Sequence, residues 1–348
     1  MRLRGGLGRA ALGIGISVVA LAFVARSVDL GAAWEALRRA DARWLLLLLV
    51  FIAVDVILRG LRWRVLLGPV ARVPLRTTLA LLLVGYLANN VLPARLGEIV
   101  RSHDLGARTS ISRSTILGTI VIERVVDTMV VVAIAAVAIL VLSVRGIVAS
   151  AVMVGAAVTG LLVIAIAVAI AAHRLPGAER VAALIEHRPR IRGALGRLRA
   201  GLAIASDPKT MAAAVALSVA SWSCTVLAFA AAAQAIGVEP TIGQAALLAA
   251  GTNLATAIPA APGYVGTFEL AAVTIAASVG IDREAALAFA VLVHVATLAI
   301  TSVGGAVVFG ATAHRRATPG APSMAVAMAV APPAEPVTAA APTTGPDA

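Results

Sequence analysis

The sequence predicts an all-α fold, a polytopic transmembrane helix bundle, and three observations carry that expectation. Hydrophobic residues make up 60% of the 348-residue chain and charged residues 13%, with a mean hydropathy of +0.98. A water-soluble domain of this length needs far more polar surface to cover its core. Apolar runs of about 17 residues or more, enough to cross a bilayer, recur along most of the chain. The basic residues fall in short stretches between those runs, which is how orientation in a membrane is set. The net charge of +12 therefore reads as topology control, and no nucleic-acid partner is expected.

Taken in order, the apolar segments are 8–25, 44–58, 77–92, 115–143, 147–172, 210–236, 241–258, 263–280 and 286–312, and at least six are expected to span. The first follows Arg2, Arg4 and Arg9 and resembles a signal peptide, with Ala20-Leu21-Ala22 as a passable cleavage site. A retained helix is favoured because so many membrane segments follow. The stretch 59–76 carries Arg59, Arg62, Arg64, Arg72 and Arg76 without an acid, and 173–209 carries eight Arg or Lys against three acids. Both are expected on the cytoplasmic side of the cell membrane, as are the N-terminus and the C-terminus, where His314, Arg315 and Arg316 follow the last helix. The 173–209 stretch also reads as a basic amphipathic segment on anionic lipid. The short connections at Val144–Gly146, Gly237–Pro240 and Ile281–Ala285 fit the outside. The stretch 26–43, with four Arg against three acids, is placed outside because its neighbours demand it. Residues 1–312 form the transmembrane domain and 313–348, rich in Ala, Pro and Thr, a disordered cytoplasmic tail.

Segment 77–92 has arginines on both flanks, the second set being Arg95, Arg101, Arg108 and Arg113. If both flanks are cytoplasmic, the segment enters and returns as a re-entrant hairpin. Its break falls at Asn89-Asn90-Val91-Leu92-Pro93, where proline ends the helix and two Asn side chains cap freed backbone. Gly97 permits the return, and Glu98 and Arg101 stand three apart on the returning arm. A second break, Asn253 to Glu269 through Pro259, Pro262, Gly263, Tyr264 and Gly266, has the same order of residue types. The only two tyrosines, Tyr86 and Tyr264, fall at these two places. Interrupted segments at matching positions of two halves point to an inverted repeat with a binding site between them.

Between the breaks, Glu123, Arg124 and Asp127 lie inside an apolar run. Ionisable groups at that depth are costly unless paired or facing water. They read either as a polar pathway pairing with Arg95 or Arg101, or as a structural ion-pair cluster. Asp55 is similarly isolated and pairs with a nearby Arg; His294 reads as a packed polar contact. The single cysteine, Cys224, allows no internal disulfide and no cysteine metal cluster. Walker loops, serine nucleophile elbows and zinc-helix motifs are missing, so no cofactor and no enzymatic activity are expected.

The order Arg62-Trp63, then Asn89-Asn90 with Leu92-Pro93-Ala94-Arg95-Leu96-Gly97-Glu98 and Arg101, then Glu123-Arg124-Val125 with Asp127, then Pro262-Gly263 with Gly266-Thr267 and Glu269, resembles the lysylphosphatidylglycerol synthase transmembrane-region family, also called flippase-like domain proteins. The resemblance covers about residues 8–312. It implies a helical domain with re-entrant helices that, in full-length synthases, moves an aminoacylated phospholipid between leaflets; stand-alone members go with lipid or polyprenyl-linked glycan pathways. No aminoacyl-transferase domain follows residue 312, so lysyl transfer by this chain alone is not expected.

The expected function is a lipid transporter or flippase-like protein handling an anionic phospholipid or polyprenyl-linked headgroup. Membrane lipids are its partners. Arg95 and Arg101 would hold a phosphate, and Asn90 and Asn253 neutral headgroup atoms. Glu98, Glu123, Asp127 and Glu269 would balance the arginines or carry a proton, and Asn89, Arg124 and Tyr264 complete the candidate set. The alternative is a non-transporting membrane partner of a glycosyltransferase or lipid-modifying enzyme.

Overall fold

In the computed structural model, residues 2–92, 96–171, 200–257 and 260–317 are described, with Gly193 and Gly196 as isolated positions. Every regular element among them is helical: α1 (Arg2–Ser27), α2 (Leu30–Arg38), α3 (Ala42–Leu67), α4 (Leu75–Val91), α5 (Gly97–Arg108), α6 (Arg113–Leu142), α7 (Ile147–Ala171), α8 (Pro208–Ala235), α9 (Ile242–Ala255), α10 (Thr267–Ser278) and α11 (Arg283–Ala317), with short 3₁₀ turns at Ala203–Ser206 and Pro262–Tyr264. Polar side chains begin the helices where backbone N–H groups lack partners. Asp29, Asp41, Ser112 and Asp207 accept from the first turns of α2, α3, α6 and α8. Thr241 and Gln244 form a capping box on α9.

Helices α3, α6, α7, α8 and α11 are long and apolar enough to cross a membrane, and the α1–α2 pair, bent by 87°, brings the candidates to six. Two further pairs fold back on themselves. In α4–α5 the arms run antiparallel and touch backbone to backbone. A Cβ added at Gly97 would lie 2.1 Å from the Gly85 carbonyl oxygen, so only glycine fits there. In α9–α10, Gly251 faces Ile275, and the Gln244 amide donates to the Val279 carbonyl at 3.0 Å. These are the two broken hairpins.

The halves repeat as span, hairpin, span: α3, α4–α5, α6 and then α8, α9–α10, α11. α3 and α8 lie antiparallel along their length, since Asp41 N–H donates to Ala235 O and Arg62 donates to Ser218. The repeat is therefore inverted. Each hairpin packs on the other half's second span, α4 on α11 and α9 on α6. Asp41 and Asp207 begin the matching spans, and the matching pair Asp55 and Ser221, 166 residues apart, hydrogen-bond each other where the two halves meet. After the breaks the offset grows to 170, pairing Arg113 with Arg283, because the second break is longer.

The largest apolar cluster joins Leu48, Phe229, Leu247 and Phe289, and a second lies under the first hairpin around Trp63, Leu81, Leu105 and Ile116. Runs of alanine such as Ala231–Ala233 and Ala249–Ala250 let the helices approach closely, as helices in lipid do.

Several expectations are corrected. The second span runs on to Leu67, so Arg59, Arg62 and Arg64 are helical; Arg62 is buried in the bundle and Arg59 is partly buried there, instead of both lying in a cytoplasmic loop. Carboxylates on neighbouring helices make this burial tolerable. Asn89 and Asn90 stay inside the last turn of α4, so the first break begins only after Val91. The last helix extends past 312 to Ala317. Most of 173–209 and all of 318–348 lie outside the described residues, as do Pro93, Ala94 and Arg95, and Ile258 and Pro259.

Candidate functional site

Asp55 lies at the midpoint of α3 and Asp127 at the midpoint of α6, so both sit near mid-depth of helices long enough to span. Around them four guanidiniums and three carboxylates form one network. Arg59 is bound to Asp55 at 2.8 Å and reaches Asp127 at 3.2 Å. Arg62, 0% exposed, bridges Asp127 at 2.8 Å and Glu123 at 3.3 Å. Arg101, on the returning arm of the first hairpin, meets Glu123 at 2.8 Å and stacks on Trp63 with its guanidinium carbon 4.0 Å from the ring centroid. Arg124 bonds to Glu123 at 2.8 Å and approaches Asp127 at 4.0 Å. Trp222 and Ser218 on α8 complete the shell, donating to Asp127 and accepting from Arg62, both at 2.8 Å.

The network is unequal in exposure. Glu123 and Arg62 are fully buried, whereas the Arg124 side chain is 41% exposed. That exposure faces a cavity of about 250 Å³ between the two hairpins. Its walls carry Asp55, Arg59, Tyr86, Asn89, Asn90, Glu98, Arg124, Asn253, Tyr264 and His294, with Thr225, Thr297 and Thr301 and apolar neighbours such as Phe229 and Phe268.

Both breaks border this space, and each is built from the polar residues that punctuate it. Asn89 accepts from the Gly97 N–H at 2.7 Å, capping the start of α5. Asn90 donates to the hydroxyls of Thr301 and Ser302 at 3.0 and 2.9 Å, tying the tip of the first hairpin to α11. In the second break Gly263, Tyr264 and Gly266 all have positive φ, at 71°, 60° and 88°, and the tyrosine pays conformational strain for it. Ser17 of α1 accepts from the Ala261 N–H at 2.9 Å. Glu269 accepts from the Gly266 N–H at 2.7 Å and pairs with His294 at 2.6 Å.

Of the residues singled out from the sequence, Asn89, Asn90, Glu98, Arg124, Asn253 and Tyr264 meet around the cavity. Arg101, Glu123, Asp127 and Glu269 stand behind the walls, each bound to a partner of opposite charge or, for Glu269, to His294. Arg95 is outside the described residues. Asp55 pairs with a nearby Arg as expected, namely Arg59, and His294 is a packed polar contact on α11. Tyr86, Arg59 and Thr301 join the walls without having been singled out as site residues. The four-residue spacing of Asp55 and Arg59 was the available signal for Arg59, since it places a carboxylate and a guanidinium on one helical face. Among the described residues, no group of three or more His, Cys, Asp or Glu side chains is placed to hold a metal.

Comparison with known proteins adds two findings. The family model described as the lysylphosphatidylglycerol synthase TM region matches residues 10–305, which contain both hairpins and the ion-pair network. The match is to a membrane region and not to a catalytic domain. The curated protein "Glycosyltransferase AglD" of Haloferax volcanii is 28% identical over 328 residues, covering 84% of this chain and 53% of that protein. The chain thus spans about half the length of that relative.

Proposed function

The chain belongs to the lysylphosphatidylglycerol synthase transmembrane-region family, and from that premise we propose that it takes the headgroup of an anionic phospholipid or polyprenyl-linked lipid into the cavity between its hairpins and passes it between leaflets of the cell membrane. The observation that carries this reading is the position of Arg124. Three carboxylates are shared among four guanidiniums, and Arg124 is the cation left half-exposed to the cavity. In a low-dielectric surrounding such a group favours a phosphate, which accepts charge-assisted hydrogen bonds from it.

The other walls suit the rest of a headgroup. Asn89, Asn90 and Asn253 offer amides, and Tyr86 and Tyr264 phenols, to glycerol or sugar hydroxyls. Glu98 lies on the α5 side and would meet a cationic or hydroxyl group attached to the phosphate. About 250 Å³ is small beside the ~300–1,000 Å³ of pockets that enclose whole drug-sized ligands. A headgroup fits this space while acyl or prenyl chains stay in lipid. Arg101, bound to Glu123 and stacked on Trp63, serves in this reading as a brace for the first hairpin and not as a phosphate ligand. Irregular backbone at membrane depth is tolerated where it lines such a cavity, and inverted repeats with broken segments are a known design for alternating access.

The test is leaflet exchange of fluorescent anionic phospholipids and polyprenyl phosphates in liposomes holding the purified protein. Exchange that slows at least about tenfold in Arg124→Gln, a loss of ~1.4 kcal/mol of transition-state binding, would support the reading. Absence of exchange for every lipid with well-folded protein would overturn it. That outcome favours the second reading, a non-transporting membrane partner of a glycosyltransferase or lipid-modifying enzyme, to which the name of the Haloferax relative lends support.

A further inference from the structure

His294 on α11 forms part of the cavity wall contributed by the second half. It is 7% exposed and its ring lies against Phe268, with centroids 4.5 Å apart. Both ring nitrogens face oxygen: Nδ1 is 2.6 Å from Glu269 Oε1, and Nε2 is 2.7 Å from the carbonyl oxygen of Gly263. A carbonyl only accepts, so Nε2 carries a hydrogen. Two arrangements then satisfy Nδ1. Either an imidazolium donates to the Glu269 carboxylate, or a neutral ring accepts from a protonated Glu269 carboxyl. Both hold one proton more than neutral histidine with ionised glutamate, and both leave the pair without net charge. If that proton departs, one contact must fail. Either the Nδ1 lone pair faces a carboxylate, or the hydrogen moves to Nδ1 and the Nε2 lone pair faces the Gly263 carbonyl.

The contact that fails is one that holds the second break. Gly263 begins the run of positive-φ residues, and Glu269 Oε2 accepts from the Gly266 N–H at its far end, 2.7 Å away. The protonated pair thus clips α11 to both ends of the strained segment. We propose that His294 and Glu269 form a proton-binding site whose occupancy sets whether α11 holds the second hairpin's break, making it the site where proton movement is coupled to lipid passage. The coupling rests on the lipid-exchange reading above; the proton site does not.

The other titratable and charged groups facing the cavity are Asp55 and Arg59 on α3, Tyr86 on α4, Glu98 on α5, Arg124 on α6 and Tyr264 in the break itself. Asp55, Arg59 and Arg124 are joined in the ion-pair network of the first half. The repeat offset that pairs Arg113 with Arg283 also pairs Arg124 with His294. One half therefore carries a permanent cation on the cavity wall where the other carries a histidine backed by a carboxylate. In balance, a proton from cavity water enters the Nδ1–Oε1 contact, the clip closes, and release of the same proton reopens it.

The experiment measures exchange of fluorescent polyprenyl phosphate and anionic phospholipid in proteoliposomes with and without an imposed pH gradient. A one-unit gradient is a factor of ten in proton activity, and a severalfold change of rate is expected in the unaltered protein. In His294→Gln and Glu269→Gln the ratio of the two rates should fall to one; the Glu269→Gln amide stands in for a permanently protonated carboxyl. An unchanged gradient response in both variants overturns the coupling. If no lipid exchanges at all, the proposed function fails, and the proton site is judged separately by ¹⁵N-histidine NMR of the full chain in bilayers. The His294 signal is assigned by its loss in His294→Gln. A proton shared at Nδ1 at neutral pH supports the site; a bare Nδ1 beside an ionised Glu269 overturns it.

Discussion

Replacing Glu123 by Gln removes one charge and almost no volume, and it should be among the most destabilising single changes in the chain. Glu123 is 0% exposed and holds three guanidiniums: Arg101 and Arg124 at 2.8 Å and Arg62 at 3.3 Å. Near an effective dielectric constant of about 20, each such contact at roughly 4 Å is worth ~4 kcal/mol. Desolvation of the ions, several kcal/mol each, cancels most of that sum in the intact network. The variant keeps the desolvation of Arg62 and Arg101 but loses the attraction, leaving four guanidiniums with Asp55 and Asp127. Stripping one partner from a buried pair costs ~3–5 kcal/mol, and the upper end applies here because three cations depend on one carboxylate. The loss should appear as a lower midpoint of thermal unfolding in detergent, followed by size exclusion and by labelling of the single thiol, Cys224, on α8. Adding Arg101→Met to Glu123→Gln removes one orphaned cation, so the double variant should be more stable than the summed single losses by ~0.5–3 kcal/mol. A Glu123→Gln protein that melts within about 1 kcal/mol of the original would refute the idea that this network anchors the fold.

Two further changes probe the hairpins. Gly97→Ala places a Cβ 2.1 Å from the Gly85 carbonyl oxygen and 2.7 Å from Asn89 Oδ1. Forcing the arms apart should cost ~1–3 kcal/mol in the same melting assay, whereas Gly155→Ala, with nothing within 4 Å, should be neutral or stabilising. Asn90→Ala cuts the links to Thr301 and Ser302 and should lower stability by ~1–3 kcal/mol. Limited proteolysis should then open at the tip of the first hairpin before any other described segment. Protection equal to that of the original protein would deny the tip its anchor on α11.

The hairpins were legible because their signals are local. Asn89-Asn90 beside Pro93, and Pro262-Gly263 with Gly266, act on the backbone within a few residues. The arginine flanks of 77–92 then required the chain to turn back. The same arginine reasoning misplaced Arg59 and Arg62. Their acidic partner Asp127 is 68 and 65 residues away, on another helix. Read locally, an arginine after an apolar run marks a membrane surface; Asp55, four residues before Arg59, is the one local hint that the helix continues, and for Arg62 only the distant carboxylates reveal it. Glu269 and His294 were each visible in the sequence, but nothing in their spacing of 25 residues made them a pair.

Composition, the length of the apolar runs and the order of proline, glycine and asparagine determined by themselves that this chain is a helical membrane protein with two interrupted segments. Those properties depend on transfer into lipid and on backbone hydrogen bonding, which each segment meets alone. The tertiary structure decided which polar residues face the cavity and which are spent on one another. Arg124 and Arg101 illustrate it: both bind Glu123, yet one opens to the cavity and the other is sealed against Trp63. The difference is the rotation of each helix about its own axis. Packing between segments far apart in the chain fixes that rotation, and neither helix's own residues contain it.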